Sequence, residues 1–196
     1  MEYRVRILIA EDETIIRLDL RTLLEKAGHE VVAEARDGEE AVALAAEHDP
    51  DLIVMDVRMP HLDGIEAARQ ISNRRPVPIV MLTAYAEEDL VTRASEAGAF
   101  AYLVKPFREV DLLPALNTAR ARFEELSALR EEAADLVEAL ASRKAVERAK
   151  GILMRKDGID EAEAFRRIRA ASQKTGRTMR VVADALIATF ETDAAE

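Results

Sequence analysis

No cysteine occurs among the 196 residues, which excludes disulfides, thiolate metal sites and a thiol nucleophile and suits a reducing compartment. No run approaches the roughly 18 to 20 apolar residues of a membrane span. Met1-Glu2-Tyr3-Arg4 leads into a strand-like segment without a signal-peptide pattern, so a cytoplasmic location and no membrane partner are expected. Aromatic residues make up only 4%, leaving little surface for stacking on nucleobases, and Phe165 and Phe190 are expected in a core. Neither an internal repeat nor a low-complexity segment is present. Beyond Lys105 there is no His and no clustered carboxylate set, which argues against an enzymatic output.

What is present is apolar matter for a core, 49% hydrophobic residues, alongside 34% charged residues, in a length that fits one ordinary domain and a smaller second one. The net charge of -10 is unevenly placed. Residues 141–183 hold 12 Lys/Arg against 5 Asp/Glu, a local +7, and the remainder holds 16 against 33, or -17. Opposite signs suggest separate tasks, with nucleic-acid binding and an ordinary solvated helix face both open for the basic segment.

The first 107 residues alternate short apolar runs with amphipathic stretches, the pattern of a parallel sheet covered on both faces. Strands are expected at 5–10, 31–35, 52–55, 79–82 and 101–104, each buried on two sides. Ile16, Leu20, Leu23 and Ala27 share one helical stripe that stops at Gly28. After Pro106 the pattern predicts one long helix to Ser142, with Pro114 near its start. On that helix Leu116, Phe123, Leu126, Leu129, Ala133, Leu136 and Leu140 form a seam that can pair with a second chain or fold back. Three shorter helices are expected from Arg143 onward. The first carries Val146, Ala149 and Leu153; the second is capped at Asp160 with Glu163 in capping-box spacing and carries Ala162, Phe165 and Ile168. The third is capped at Thr178, with Met179, Val182, Leu186 and Phe190 on one face. The expected organisation is a domain at 1–120, a helical connector at 121–142 and a small helical domain at 143–196.

Polar residues stand at the C-terminal ends of the expected strands, where open parallel sheets bind ligands. Glu11 and Asp12 follow the first, Asp56 the third, Thr83 the fourth and Lys105 the fifth. Clustered carboxylates stay ionised only with a cation among them, and hard oxygen donors favour Mg²⁺. Lys105 and Thr83 suit phosphoryl oxygens, and a carboxylate can be the nucleophile, so the set reads as a phosphoryl-transfer site. Singly, each residue has an ordinary reading as a cap or turn residue; jointly they are harder to dismiss.

The segments Ile7-Leu8-Ile9-Ala10-Glu11-Asp12-Glu13, Asp51-Leu52-Ile53-Val54-Met55-Asp56-Val57-Arg58-Met59-Pro60 with Asp63-Gly64, Val80-Met81-Leu82-Thr83-Ala84 and Ala101-Tyr102-Leu103-Val104-Lys105-Pro106-Phe107 resemble the motifs of response-regulator receiver domains. The resemblance spans about residues 4–120. It implies a doubly wound, flavodoxin-like α/β fold with a five-stranded parallel sheet, and a phosphoryl group passed from a histidine kinase to Asp56. It further implies Mg²⁺ held by Asp12, Asp56 and the backbone carbonyl of Arg58, with Glu11 assisting. Thr83 and Lys105 would contact the phosphoryl oxygens, and Tyr102 would turn inward as a switch that alters the face built on the fifth strand. Arg58 and Tyr85 occupy positions that tune phosphate loss, and their bulk points to slow hydrolysis.

The basic segment admits a DNA-binding helix-turn-helix beginning at Arg177-Thr178-Met179-Arg180, although Val181-Val182-Ala183 offers little that reads base edges. The pattern Leu140-Ala141-Ser142-Arg143-Lys144-Ala145-Val146-Glu147-Arg148-Ala149-Lys150-Gly151-Ile152-Leu153-Met154, with Glu163 to Arg169 and Met179 to Ala183, is instead similar to the ANTAR domain of transcription antitermination regulators, over about residues 133–190. That resemblance, to actinobacterial receiver-ANTAR regulators, implies dimers that grip paired RNA stem-loops in a nascent transcript. Arg143, Lys144, Arg148, Ala149, Lys150, Arg177 and Arg180 become the expected RNA face, and Gly151 either admits RNA or eases helix packing. A receiver-controlled antiterminator is the reading adopted; a DNA-binding regulator and a protein-interaction adaptor are the alternatives.

Overall fold

The computed structural model describes residues 4–84, 93–94 and 97–193. Its strands β1 (Arg6–Ala10), β2 (Glu30–Ala35), β3 (Leu52–Asp56), β4 (Ile79–Thr83) and β5 (Ala99–Val104) form one parallel sheet in the order β2-β1-β3-β4-β5. The helices among the described residues are α1 (Thr14–Lys26), α2 (Gly38–His48), α3 (Gly64–Arg74), α4 (Glu109–Asp157), α5 (Glu161–Thr175) and α6 (Met179–Asp193). The expected doubly wound α/β architecture is the one adopted. No helix among the described residues is long and apolar enough to cross a membrane.

The chain divides into two compact units, Met1–Ser127 and Ala128–Glu196. In the first, side chains alternate between the two sheet faces. Leu8, Ile53, Met55, Ile79 and Met81 pack under Ala41, Val42 and Ala45 of α2 and Ile65, Ala68 and Ile71 of α3. Ile7, Ile9, Leu52, Val54, Val80 and Leu82 pack against Leu20 and Leu24 of α1 and Leu112 and Leu116 of α4. Burial on both sides holds for β1, β3 and β4. It fails for the two edge strands, each with only one neighbour strand: the first five residues of β2 are only half-buried, and on β5 Phe100 and Tyr102 are half-buried and Val104 is exposed.

Two aspartates set helix starts: the Asp37 side chain accepts from the Glu40 amide and Asp63 from the Glu66 amide, both at 2.8 Å. Gly28, at φ +86°, turns the chain out of α1 as expected.

In the second unit, Val146, Ala149 and Leu153 of α4 meet Ala164 and Ile168 of α5 and Ala183 and Ile187 of α6. The Asp160 side chain accepts from the Glu163 amide at 2.7 Å, the expected cap, and Gly176, at φ +66°, ends α5. Three expectations need correction. The helix does not end at Ser142: α4 runs 49 residues, because neither proline nor glycine stands between Pro114 and Gly151 to stop it. Phe165 is 40% exposed, since Ala164 and Ile168 define the buried face of α5. On α6, Met179, Val182, Leu186 and Phe190 are half-buried flankers of Ala183 and Ile187. Of the seam, Leu116 lies in the receiver core and Phe123 meets Phe100 edge-on at 5.4 Å, whereas Leu126, Leu129, Leu136 and Leu140 are exposed.

Candidate functional site

The sheet brings the five expected polar groups together. Register pairs Asp56 with Leu82 and Thr83 with Val104. The ladder also continues one residue past the strands: the Val57 amide donates to the Leu82 carbonyl at 2.9 Å and the Lys105 amide to the Thr83 carbonyl at 2.8 Å. Glu11, on the other side of Asp56, is fixed by its own amide, which donates to the Ala35 carbonyl at 3.1 Å.

One carboxylate oxygen from each of Glu11, Asp12 and Asp56 lies within 4.8 Å of the others. Glu11 is fully buried, Asp56 and Thr83 nearly so, and Asp12 is exposed. The Lys105 ammonium sits 2.8 Å from Asp56 Oδ2 and 2.6 Å from Glu11 Oε2. Burial raises the Glu11 carboxyl above its ordinary value and the Asp56 charge adds to this, with Lys105 opposing. Burial disfavours the Lys105 charge, but the carboxylates of Asp56 and Glu11 outweigh it and hold the ammonium above the usual lysine value. Three carboxylates against one ammonium leave an excess of negative charge on hard oxygen donors. That donor set fits a divalent cation such as Mg²⁺.

Asp12, Asp56, Arg58, Thr83 and Lys105 line a cleft of about 250 Å³. Gly64 explains how the cleft floor is kept in place. Its amide donates to the Val57 carbonyl at 3.0 Å, and a Cβ there would strike the backbone carbonyl of Asp56. Only glycine lets α3 begin so close to the acceptor strand. Tyr102 lies on the edge strand β5, half-buried against the face that holds Met81. Tyr85 lies outside the described residues.

Sequence reasoning missed Arg17. Its guanidinium is buried and donates from Nη1 to the Glu11 carbonyl at 2.6 Å and the Asp12 carbonyl at 3.4 Å, and Nε lies 3.4 Å from Glu34. It therefore holds by the backbone the loop that carries two of the three carboxylates. The available signal was its spacing: Arg17, Leu20 and Leu24 are the buried residues of α1, at helical intervals. Beside the cleft, Ile15 and Leu18 are 85% and 62% exposed and line a groove of about 630 Å³ with Pro106 and Phe107.

The expected RNA face is only partly a face. Ala149 is fully buried among Val146, Leu153 and Ile168, so it belongs to the core and is corrected out of the set. Lys150 is buried too, its ammonium 2.7 Å from both Glu147 and Glu161, whose hydrogen bonds raise it above the usual lysine value. Arg180 is paired with Glu138 and reaches Asp184 at 3.6 Å. Arg143, Lys144, Arg148 and Arg177 are exposed.

Comparison with known proteins agrees with both halves. The response regulator receiver domain matches residues 7–117, and the ANTAR domain matches residues 134–187. The transcriptional regulatory protein PdtaR of Mycobacterium tuberculosis is 52% identical over 187 residues, covering 95% of this chain and 91% of that protein. The chemotaxis protein CheY of Bacillus subtilis is 42% identical over 113 residues, 57% of this chain and 94% of its own. Among solved structures, CheY4 of Vibrio cholerae superposes with a TM-score of 0.56 at 33% identity, covering 59% of this chain and 98% of that one. A chain from the crystal structure of a CheX-CheY-BeF3-Mg+2 complex from Borrelia burgdorferi gives 0.55 at 28%, covering 57% of this chain and 85% of that one. The chain belongs to the response regulators, with a receiver domain followed by an ANTAR domain.

Proposed function

We propose that Asp56 accepts a phosphoryl group from a histidine kinase and that this controls an RNA-binding, antiterminating output. The observation that carries the reading is the convergence of Glu11, Asp12, Asp56 and Lys105 at the strand ends. In the transfer, an Asp56 carboxylate oxygen attacks phosphorus, the phosphorus–nitrogen bond of the donor phosphohistidine breaks, and its electron pair returns to the imidazole. Asp12, Asp56 and the Arg58 carbonyl would hold Mg²⁺, with Glu11 behind them; the ion supplies charge neutralisation to the transferring group. Lys105 and Thr83 take the phosphoryl oxygens. Withdrawal of Lys105 and Thr83 toward the phosphate biases the arrangement of β5, with Tyr102 turning inward, by the difference in contacts between two states. Arg58 at the cleft mouth slows attack by water.

The donor protein docks on the exposed apolar groove of Ile15, Leu18 and Phe107, which adjoins the cleft at Lys105. The exposed leucines of α4 pair with a second copy. The ANTAR match supports RNA as the output ligand.

Incubation with a small-molecule phosphodonor and Mg²⁺, followed by intact-mass measurement, tests the first part. One added phosphoryl group is expected, lost in Asp56→Asn and absent without the ion; labelling of Asp56→Asn would end the reading. For the output, gel shifts with transcribed leader RNAs and with duplex DNA are expected to favour RNA. A preference for duplex DNA would select the DNA-binding alternative.

A further inference from the structure

Gly38 opens α2 in ordinary helical conformation, so its backbone angles do not call for glycine, the poorest helix former after proline. What the missing side chain provides there is space. A Cβ would stand 2.2 Å from the carbonyl oxygen of Leu62 and 2.9 Å from its Cβ, and a backbone carbonyl cannot swing aside as the tip of a long side chain could. In that space the Gly38 amide donates to the Leu62 carbonyl at 3.2 Å.

Leu62 belongs to the loop that leaves β3 after Asp56, passes Arg58 at the cleft and reaches the α3 cap at Asp63. The start of that loop is tied by the Val57 amide to β4 and by the Val57 carbonyl to the Gly64 amide. Its middle is strained. The Leu62 amide donates to the Pro60 carbonyl at 2.8 Å, closing a three-residue turn with His61 at φ +63°, a conformation that residues with a Cβ rarely adopt. Such a turn persists only where its surroundings over-determine it. Here the surroundings are the Gly38 amide, on the Leu62 carbonyl, and the core beneath the half-buried side chains of Met59 and Leu62. No residue of α2 lines the cleft among the described residues, so α2 acts on it through this loop alone.

We propose that Gly38 is a positioning residue for the phosphoryl-transfer site, holding the Leu62 carbonyl and with it the strained loop that presents the Arg58 carbonyl to Mg²⁺. The proposal rests on the Mg²⁺-dependent phosphoacceptor reading above and extends the site to a helix that lends it no side chain. Supports behind a metal ligand act by fixing its direction, so their loss shows first as weaker metal binding.

The test uses the full chain, with Mg²⁺ affinity read by titration calorimetry and labelling by a small-molecule phosphodonor followed across Mg²⁺ concentrations. Gly38→Ala is expected to weaken Mg²⁺ binding about tenfold and to raise the half-saturating Mg²⁺ for labelling in step, while the rate at saturating Mg²⁺ stays within about twofold. Ala45→Gly, inside the same helix and away from the loop, is expected to lower the unfolding midpoint and keep Mg²⁺ affinity within about twofold. Leu62→Ala loosens the same hold without a steric clash and is expected to weaken Mg²⁺ binding about threefold; it decides the matter should Gly38→Ala not fold. Unchanged Mg²⁺ affinity in folded Gly38→Ala, or in Leu62→Ala where Gly38→Ala does not fold, would overturn the proposal. So would a loss in Ala45→Gly as large as theirs. Unsubstituted protein that neither binds Mg²⁺ nor takes the phosphoryl group would instead overturn the phosphoacceptor reading on which it rests.

Discussion

The receiver unit and the helical unit treat charge in opposite ways. In the receiver, a sheet whose central strands are wholly buried carries its carboxylates to the strand ends and partly buries them there, with one lysine among three acids. The helical unit encloses a thinner core in which Ala149, Ala164 and Ala183 are three of seven buried residues, and it displays its charge on the surface. A sheet register fixes a site to within a residue, whereas a helix surface presents many cations of which only some are available. Chemistry is therefore easier to locate in the first unit than recognition is in the second.

The sharpest way to break this comparison is to truncate one fully buried isoleucine in each unit. Ile53→Ala and Ile168→Ala are each expected to cost about 3 to 4 kcal/mol, and calorimetry should show each lowering the transition of its own unit. A single shared transition that falls equally in both variants would mean that the units do not unfold separately. Next in size is Arg17→Ala, which leaves the Glu11 and Asp12 carbonyls without their buried donor and is expected to cost about 2 kcal/mol in urea unfolding. It should also weaken Mg²⁺ binding measured by titration calorimetry. Unaltered metal affinity would show that the loop keeps its shape without this tie.

How far the sequence carried the reader follows the same division. The five strands are legible because buried parallel strands are continuous apolar runs, and acids immediately after such runs are conspicuous. Asp12, Asp56, Thr83 and Lys105 were placed together for that reason. Arg17 was not, because a charged residue on an apolar stripe is read as a flank, and only the fold shows backbone carbonyls waiting for it. On α5 and α6 the large apolar residues drew attention, while the innermost positions include Ala164 and Ala183. Alanine marks a pattern weakly, yet it lets small helices approach closely. The continuity of α4 was hidden because helix length itself leaves no local mark; what mattered was the absence of a breaker.

Two smaller effects sharpen the contrast on the helical side. Leu129→Glu combined with Leu136→Glu, at positions 56% and 60% exposed, should leave each unit's unfolding unchanged. It should also halve the mass seen by light scattering if the pairing of α4 is correct, and an unchanged dimer mass would place the interface elsewhere. Arg166→Ala removes an exposed pair with Glu163 and is expected to change stability by less than about 1 kcal/mol. A larger loss in chemical unfolding would mean that the surface pairs hold the small core together.

Residues 128–140 of α4 are exposed without exception in the single chain. A stretch of helix that buries no side chain, with Glu138 paired to Arg180 at its edge, has little beyond its own backbone propensity to keep it wound, and at that length propensity is marginal. Its amide hydrogens should therefore trade with deuterated solvent within seconds when the chain is solitary and far more slowly when it is accompanied. Those thirteen amides would act as a clock for companionship, read without any label and independently of what the two ends of the protein are doing.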